Sequence, residues 1–174
     1  MNRGFTLVEL LGVIVIIGLL SGIILPQING MREKGRDTER ITDVKKMQTS
    51  LERYFDRNGE YPDVGSSKTY AVSGDSGDPS CYSGDSIAFP DSGLINLVNQ
   101  GLISSLPRDP INESNHCYLY RKNYTCSGNM PSGQTTGYVL LFKPENFDTF
   151  GGDNGGENGA LNWDDNNDWL CVES

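Results

Sequence analysis

Gly4-Phe5-Thr6-Leu7-Val8-Glu9, followed by the run from Leu10 to Pro26, is the stretch on which the rest of the chain is read. From Leu10 to Pro26 there are 17 residues without a charge, and 12 of them are Leu, Ile or Val. A run of that length and polarity excludes a simple cytosolic globule. Twelve such residues contribute about -5 kcal/mol to membrane insertion, at roughly -0.3 to -0.6 kcal/mol each. A carboxylate costs about 2.5–3.5 kcal/mol at the bilayer centre and less near an end, where Glu9 sits, so insertion wins. Arg3 stays on the cytoplasmic side by the positive-inside bias and sends the remainder outward. A removable secretory signal fits poorly, because the run closes on Leu25-Pro26-Gln27-Ile28-Asn29-Gly30 with no small-x-small cleavage site.

Outward from that run, the polarity reverses. The chain has 174 residues and a formal net charge of -9, a length that fits one domain plus attachments. Residues 1–60 hold nine Lys/Arg and eight Asp/Glu, while residues 61–174 hold five and fifteen, so the downstream part carries -10 and the first part +1. An acidic head repels phosphate backbones, and no nucleic-acid partner is expected. All four cysteines, Cys81, Cys117, Cys126 and Cys171, lie in the acidic part, as suits an exported, oxidised head.

Small residue, Phe, Thr, Leu and Glu at fixed offsets before an uninterrupted apolar helix resemble the class III signal of the type IV pilin and type II secretion pseudopilin family. The resemblance implies cleavage by a prepilin peptidase between Gly4 and Phe5, leaving the leader 1–4, and methylation of the new N-terminus. Gly4 offers no side chain to obstruct a protease at the membrane surface, and cutting there keeps the apolar segment on the mature protein. Glu9 is expensive in apolar surroundings unless paired. In a filament it can pair with the Phe5 ammonium of a neighbouring subunit and fix axial register; the plainer reading is an interfacial Glu that snorkels to water. Thr6 reads as a tolerated small polar residue, and Pro26 resembles the family's helix-softening proline.

Past Pro26 the pattern changes from an unbroken apolar run to an amphipathic one. Ile41, Val44, Met47, Leu51, Tyr54 and Phe55 recur at helical spacing, Pro26 is a site for a kink or a melted stretch, and Asn58-Gly59 provides a stop. The expected organisation is a transmembrane or filament-core half-helix over 5–28, an amphipathic half over 29–58, and an acidic head over 59–174. A helix of about 80 Å at 1.5 Å per residue is too long for a head of this size to bury, so its first half must project. The mixed run from Arg32 to Arg40 reads as a solvated junction, with intersubunit ion pairs as the second possibility.

In the head, residues 63–93 read as a long Ser/Gly/Asp-rich loop with one short turn of structure. A short helix is predicted over Leu94–Ile103 with a stop at Gly101, then a Leu106-Pro107-Arg108-Asp109-Pro110 turn. Strands are predicted over Cys117–Arg121 and Gly137–Lys143, with weaker ones at Ala160–Trp163 and Trp169–Val172. The fold class is α+β and pilin-like: a long helix packed by its second half on a small antiparallel sheet. Tyr61-Pro62, the Asp109-Pro110 turn, the tyrosine-bearing strands and the acidic Gly-rich tail resemble the major pseudopilin of type II secretion. Ile111-Asn112-Glu113 stand where that subgroup usually has an aromatic and a Gly, and paired cysteines are not its usual feature.

The tail from Pro144 to Ser174 has eight acidic residues and no Lys or Arg. Oxygen donors on loops suit Ca²⁺, and the major pseudopilins resemble this chain in having a calcium loop in that region. Asp148, Asp153, Asp164 and Asp168 are the candidate ligands, the alternative being a solvated acidic loop. Asp164-Asp165-Asn166-Asn167-Asp168-Trp169 fails the EF-hand pattern, with Trp169 where Gly is required. Four cysteines allow three pairings. Two disulfides are expected, Cys117 with Cys126 and Cys81 with Cys171; zinc is disfavoured because no C-x₂₋₄-C pair exists. His116, the sole histidine, reads as a loop residue, and no nucleophile elbow, P-loop or zincin motif is present. Tyr118, Tyr120, Tyr124 and Tyr138 read as sheet packing.

No catalytic residue is therefore assigned, and the chain reads as a structural subunit rather than an enzyme. The resemblance implies a homo-oligomeric helical filament, either a pilus or a secretion pseudopilus, built from a pool in membrane lipid. It also implies an assembly ATPase acting through an inner-membrane platform protein. The alternative is a low-abundance minor pilin, adhesin or DNA-uptake component with a ligand-binding head. Before assembly the chain is expected in the inner membrane with its head outside, and afterwards in a periplasmic or extracellular filament.

Overall fold

The computed structural model describes residues 4–65, 70–75, 85–113, 116–126, 128–129, 137–146, 161–162 and 169–174, without the side chains of 22–29, 128–129 and 161–162. The helix α1 spans Leu7–Asn58, 52 residues, about 78 Å at 1.5 Å per residue. It ends as Asn58-Gly59 predicted: Gly59 takes the left-handed conformation (φ 75°) and donates its N–H to Phe55 O at 2.8 Å. A residue without Cβ meets no steric penalty there. The helix is continuous through Pro26, so the melted stretch expected at that position is absent. One missing donor interrupts one bond of the ladder, and the turns on either side carry the helix on. Among the described residues no helix is long and apolar enough to cross a membrane; the side chains of residues 22–29, Ile23, Ile24 and Leu25 among them, lie outside that description.

The head contributes β1 (Tyr70–Val72), β2 (Ser86–Ala88), a 3₁₀ turn (Phe89–Asp91), α2 (Ile95–Asn99), β3 (Leu119–Lys122), β4 (Tyr124–Thr125), β5 (Gly128–Asn129), β6 (Tyr138–Phe142), β7 (Leu161–Asn162) and β8 (Leu170–Glu173). Six strands form one sheet in the order β2-β1-β3-β6-β8-β7, while β4 and β5 pair separately. The fold is α+β and pilin-like, as predicted, but the sheet is mixed rather than antiparallel, because β1 and β2 run parallel. The reason lies in the segment read as loop. A connection of about a dozen residues or more is long enough to bring a strand back in the same direction, and residues 73–85 provide it. Residues 63–93 thus hold two strands and a 3₁₀ turn rather than one turn of structure.

Strand alternation sorts the core into two faces. Tyr118, Tyr120, Tyr138, Leu140, Phe142 and Leu170 face α1 and pack with Val44, Met47, Leu51, Leu94 and Leu97. Leu119, Val139, Leu141 and Cys171 point the other way and pack with Tyr70, Val72, Trp169, Cys117 and Cys126. Both faces of the central strand are buried, so β6 reads Tyr-Val-Leu-Leu-Phe without a polar residue. The tyrosines are packing residues, as predicted, and their hydroxyls are satisfied on the helix side. Tyr138 Oη donates to Glu52 at 3.1 Å, Tyr61 Oη to Glu52 at 3.0 Å, and Tyr120 Oη to Pro62 O at 2.8 Å. Burial, assisted by the Glu52 charge, pushes the Tyr61 hydroxyl up to about 12. The chain returning toward α2 passes so close at Gly93 that a Cβ there would stand 2.4 Å from Asp63 O.

The cysteine pairing differs from the expectation. Cys126 is bonded to Cys171, which excludes both Cys117–Cys126 and Cys81–Cys171. The reason lies in the sheet: β8 lies beside β6 and places Cys171 on the face that the β4 end of the hairpin covers. Cys117 is fully buried on the same face, and Cys81 lies outside the described residues.

Candidate functional site

Two groups of residues stand out along α1, one at each side of the point where the head takes hold. The first is the N-terminal turn. Thr6 is the N-cap of α1 and Glu9 its third residue, and the two form a reciprocal capping box. Glu9 N donates to Thr6 Oγ1 at 3.3 Å, Thr6 N donates to Glu9 Oε2 at 3.0 Å, and Thr6 Oγ1 donates to the same oxygen at 2.8 Å. Two of the backbone donors left over at a helix start are thereby satisfied. Thr6 is therefore more than a tolerated small residue, and Glu9 already has partners within the single subunit. The Ser/Thr-x-x-Glu spacing before an apolar run was the available signal. Gly4 and Phe5 precede the cap in exposed positions, with Phe5 88% exposed. Beyond them Leu7, Val8, Leu10, Leu11, Val13 to Ile17, Leu19 and Leu20 all remain exposed, so α1 from Leu7 to Leu20 is a bare apolar rod.

The second group lies in the run read as a solvated junction; Arg32, Lys34, Thr38 and Glu39 are exposed as that reading has it, and the structure corrects it at Asp37 and Arg40. Asp37 and Arg40 are fully buried. Arg40 places Nε 2.7 Å and Nη2 2.9 Å from the two carboxylate oxygens of Asp109, a bidentate fork. Its Nη1 donates to Asp37 Oδ1 at 2.7 Å and Glu145 Oε1 at 2.9 Å. Arg36, one turn nearer the free end, donates through Nε and Nη2 to both oxygens of Glu145. The carboxylates are further held by main chain: Asp37 accepts from Glu145 N at 3.0 Å and Asn146 N at 2.9 Å, and Asp109 from Ile111 N at 2.9 Å. The Asp109-Pro110 turn and the segment after β6 are thus both tied to the helix.

The electrostatics follow from those contacts. Burial opposes the Arg40 charge, but the hydrogen bonds and charge of Asp109, with Glu145 and Asp37, outweigh it and hold the guanidinium more firmly protonated. The hydrogen bond from Arg36 outweighs burial at Glu145 and, with Arg40, pulls its carboxyl down to about 2. Such a network adds little net stability, yet removing one partner strands the rest and costs about 3–5 kcal/mol. The signal in the sequence was positional: Asp37 and Arg40 continue the three-four stripe of Val44, Met47 and Leu51, so two charges stand on the core-facing side.

The remaining candidates fall elsewhere. Asp148, Asp153, Asp164 and Asp168 lie outside the described residues, and among those described no cluster of His, Cys, Asp or Glu is placed to hold a metal. His116 donates its backbone N–H to Glu113 O at 2.9 Å in the loop before β3.

Residues 1–25 match the sequence family described as the prokaryotic N-terminal methylation motif. The type II secretion system core protein G of Klebsiella pneumoniae is 31% identical over 109 residues, which cover 63% of this chain and 69% of that protein. The chain belongs to the type IV pilin and type II secretion pseudopilin family. Other members match over less of their length: the core protein G of Escherichia coli K12 is 38% identical over 61 residues, 35% of this pilin-like chain and 42% of that protein. The type IV major pilin protein PilA of Myxococcus xanthus is 29% identical over 108 residues, 56% of this chain and 49% of that protein. No solved structure matches. This member of the family is a pilin-like structural subunit, and its capping box and apolar rod fall within the matched motif.

Proposed function

We propose that the chain is a prepilin cut between Gly4 and Phe5 by a prepilin peptidase, methylated on Phe5 and polymerised through the first half of α1. The observation that carries the reading is the bare rod. Leu, Ile and Val side chains are each stabilised by about 1.5–3 kcal/mol on leaving water, and the head covers none of those from Leu7 to Leu20. Before assembly, residues 5–28 lie in membrane lipid with the head outside; afterwards they shelter against identical helices. An assembly ATPase acting through a platform protein supplies the work of extraction. Phe5 brings the new ammonium close to a neighbour's Glu9, which exchanges its Thr6 contacts for that charge.

The filament proposed is a type II secretion pseudopilus, supported by the coverage of core protein G. A type IV pilus is the second reading, favoured by the Cys126–Cys171 disulfide, which is not a usual pseudopilin feature. Deleting the gene separates them: loss of protein secretion with surface fibres intact supports the first, the reverse the second. The calcium reading of Asp148, Asp153, Asp164 and Asp168 is a separate proposal supported by composition. A chelator that leaves the thermal midpoint of the full chain unchanged removes it.

Mass spectrometry of the protein recovered from membranes or filaments tests the whole reading. The expected N-terminus is N-methylated phenylalanine, with Met1 to Gly4 gone. A mature protein that retains Met1, or that begins at an unmethylated residue, overturns it.

A further inference from the structure

We propose that Arg40 is the positioning residue that sets the head on the stalk and thereby the stacking of successive subunits; the proposal rests on the filament reading above. Among the described side chains of α1, counted from the free end, Asp37 is the first that is fully buried and Arg40 the second. The head therefore begins to grip the helix through charge rather than through hydrophobic contact. Below them Val44, Met47 and Leu51 supply the apolar packing, which is non-directional. A guanidinium is directional. Arg40 uses Nε and Nη2 on Asp109 and Nη1 on Asp37 and Glu145, so its plane is fixed from three sides. Through those carboxylates, over the turn from Arg36 to Arg40, it fixes the Asp109-Pro110 turn and the segment at Glu145–Asn146 against α1 in tilt as well as in azimuth.

The stalk turns that precision into a requirement. From Arg40 to Leu10 is 30 residues, about 45 Å of helix at 1.5 Å per residue. A slack of about 10° in the tilt of α1 at Arg40 displaces Leu10 by about 8 Å, close to the distance of about 8–10 Å between packed helix axes. A subunit with that slack cannot seat its rod and its head on the same neighbours at once. A buried ion network is a poor source of stability but a good source of a unique geometry, and here the geometry is what assembly needs.

Two full-length variants test this. Arg40→Lys keeps the charge and loses the planar fork; R40M/D109N removes the Asp109 pair together, leaving Asp37 with its main-chain donors Glu145 N and Asn146 N and Glu145 with Arg36. Both are expected to form the Cys126–Cys171 disulfide, keep a cooperative head melt and accumulate in the same membrane fraction as wild type. Sheared filaments should nevertheless fall at least tenfold, and those that form should show a broadened spread of helical rise and twist. Should R40M/D109N fail to fold, Arg40→Lys decides alone. Wild-type yield with unchanged helical parameters in a folded variant overturns the positioning role. Wild-type chain that forms no filament overturns the assembly reading itself, and with it this proposal.

Discussion

The two halves of α1 obey the same hydrogen-bond pattern and differ in what covers their side chains. Up to Leu20 the side chains of Leu, Ile and Val stand exposed on every face. From Asp37 onward one stripe, Asp37, Arg40, Val44, Met47 and Leu51, is buried while Lys45, Thr49 and Arg53 face out. The helix does not change at the boundary; what changes is what the rest of the chain can cover. A head built on one mixed sheet reaches about as far as Arg36, and it covers none of the described apolar side chains from Leu7 to Leu20. The first half is thus specified by what it lacks within the subunit, and the second by what it contacts.

The sharpest way to break that contrast is to remove the single charge in the bare half. Glu9→Val loses the acceptor for Thr6 N and the proposed partner of a neighbouring Phe5 ammonium, while adding an apolar side chain that lipid accepts. Membrane accumulation should persist and filament yield should fall at least tenfold. Normal filaments from Glu9→Val, counted by shearing and electron microscopy, would show that the charge sets no register.

The next largest effect separates burial from exposure on one helix. Leu51 is fully buried, whereas Ile14 is 57% exposed. Leu51→Ala should lower head stability by about 2–5 kcal/mol through lost transfer energy and a residual cavity. Ile14→Ala should leave it within about 0.5 kcal/mol, as measured by urea unfolding of the full chain in detergent. If the two variants unfolded alike, the head would not be independent of the rod.

On the far face of the sheet, the Cys126–Cys171 bond closes a loop of 45 residues. Reducing it, or replacing both cysteines by Ala, should cost the head about 2–4 kcal/mol and leave the rod untouched. Alkylation of the denatured, unreduced protein should label neither Cys126 nor Cys171; a labelled peptide from either one would contradict the pairing.

How far the sequence carried depends on how local each signal was. The rod, its capping spacing, the Gly59 stop and the strands around Tyr120 and Leu140 are written in contiguous residues, and all could be read there. The parallel pairing of β1 and β2 was hidden because short strands inside a Ser/Gly/Asp-rich stretch leave no periodicity of their own. Cys126 meets Cys171 through the order of strands in the sheet, which no spacing along the chain records. Asp37 and Arg40 were readable in part: their place on the core stripe is local, but Asp109 and Glu145, the partners of Arg40, are 69 and 105 residues further on from it. Charge on a helix was assigned to water because most charge is; its heptad-like position was the better guide.

The smallest effect tests whether that buried charge behaves as the contacts demand. Glu145 is held at about 2 by Arg36 first and Arg40 second, below the 4.5 of an unperturbed carboxyl. The unfolded chain therefore takes up this proton before the folded one does, and stability falls with pH between about 4.5 and 2 while being fully present above that window. Arg36 keeps a third of its side chain in water, so solvent and salt screen the pair and its share is about 1 kcal/mol. Glu145→Gln keeps the shape and removes the titration. The difference in urea midpoint between wild type and Glu145→Gln should be constant above pH 5 and shrink toward pH 2. In 1 M salt, where the screening length is about 3 Å, the difference should also contract. A difference that is flat across the whole range would mean that Glu145 contributes shape and hydrogen bonds to the anchor, and that Arg40 is neutralised by Asp37 and Asp109 alone.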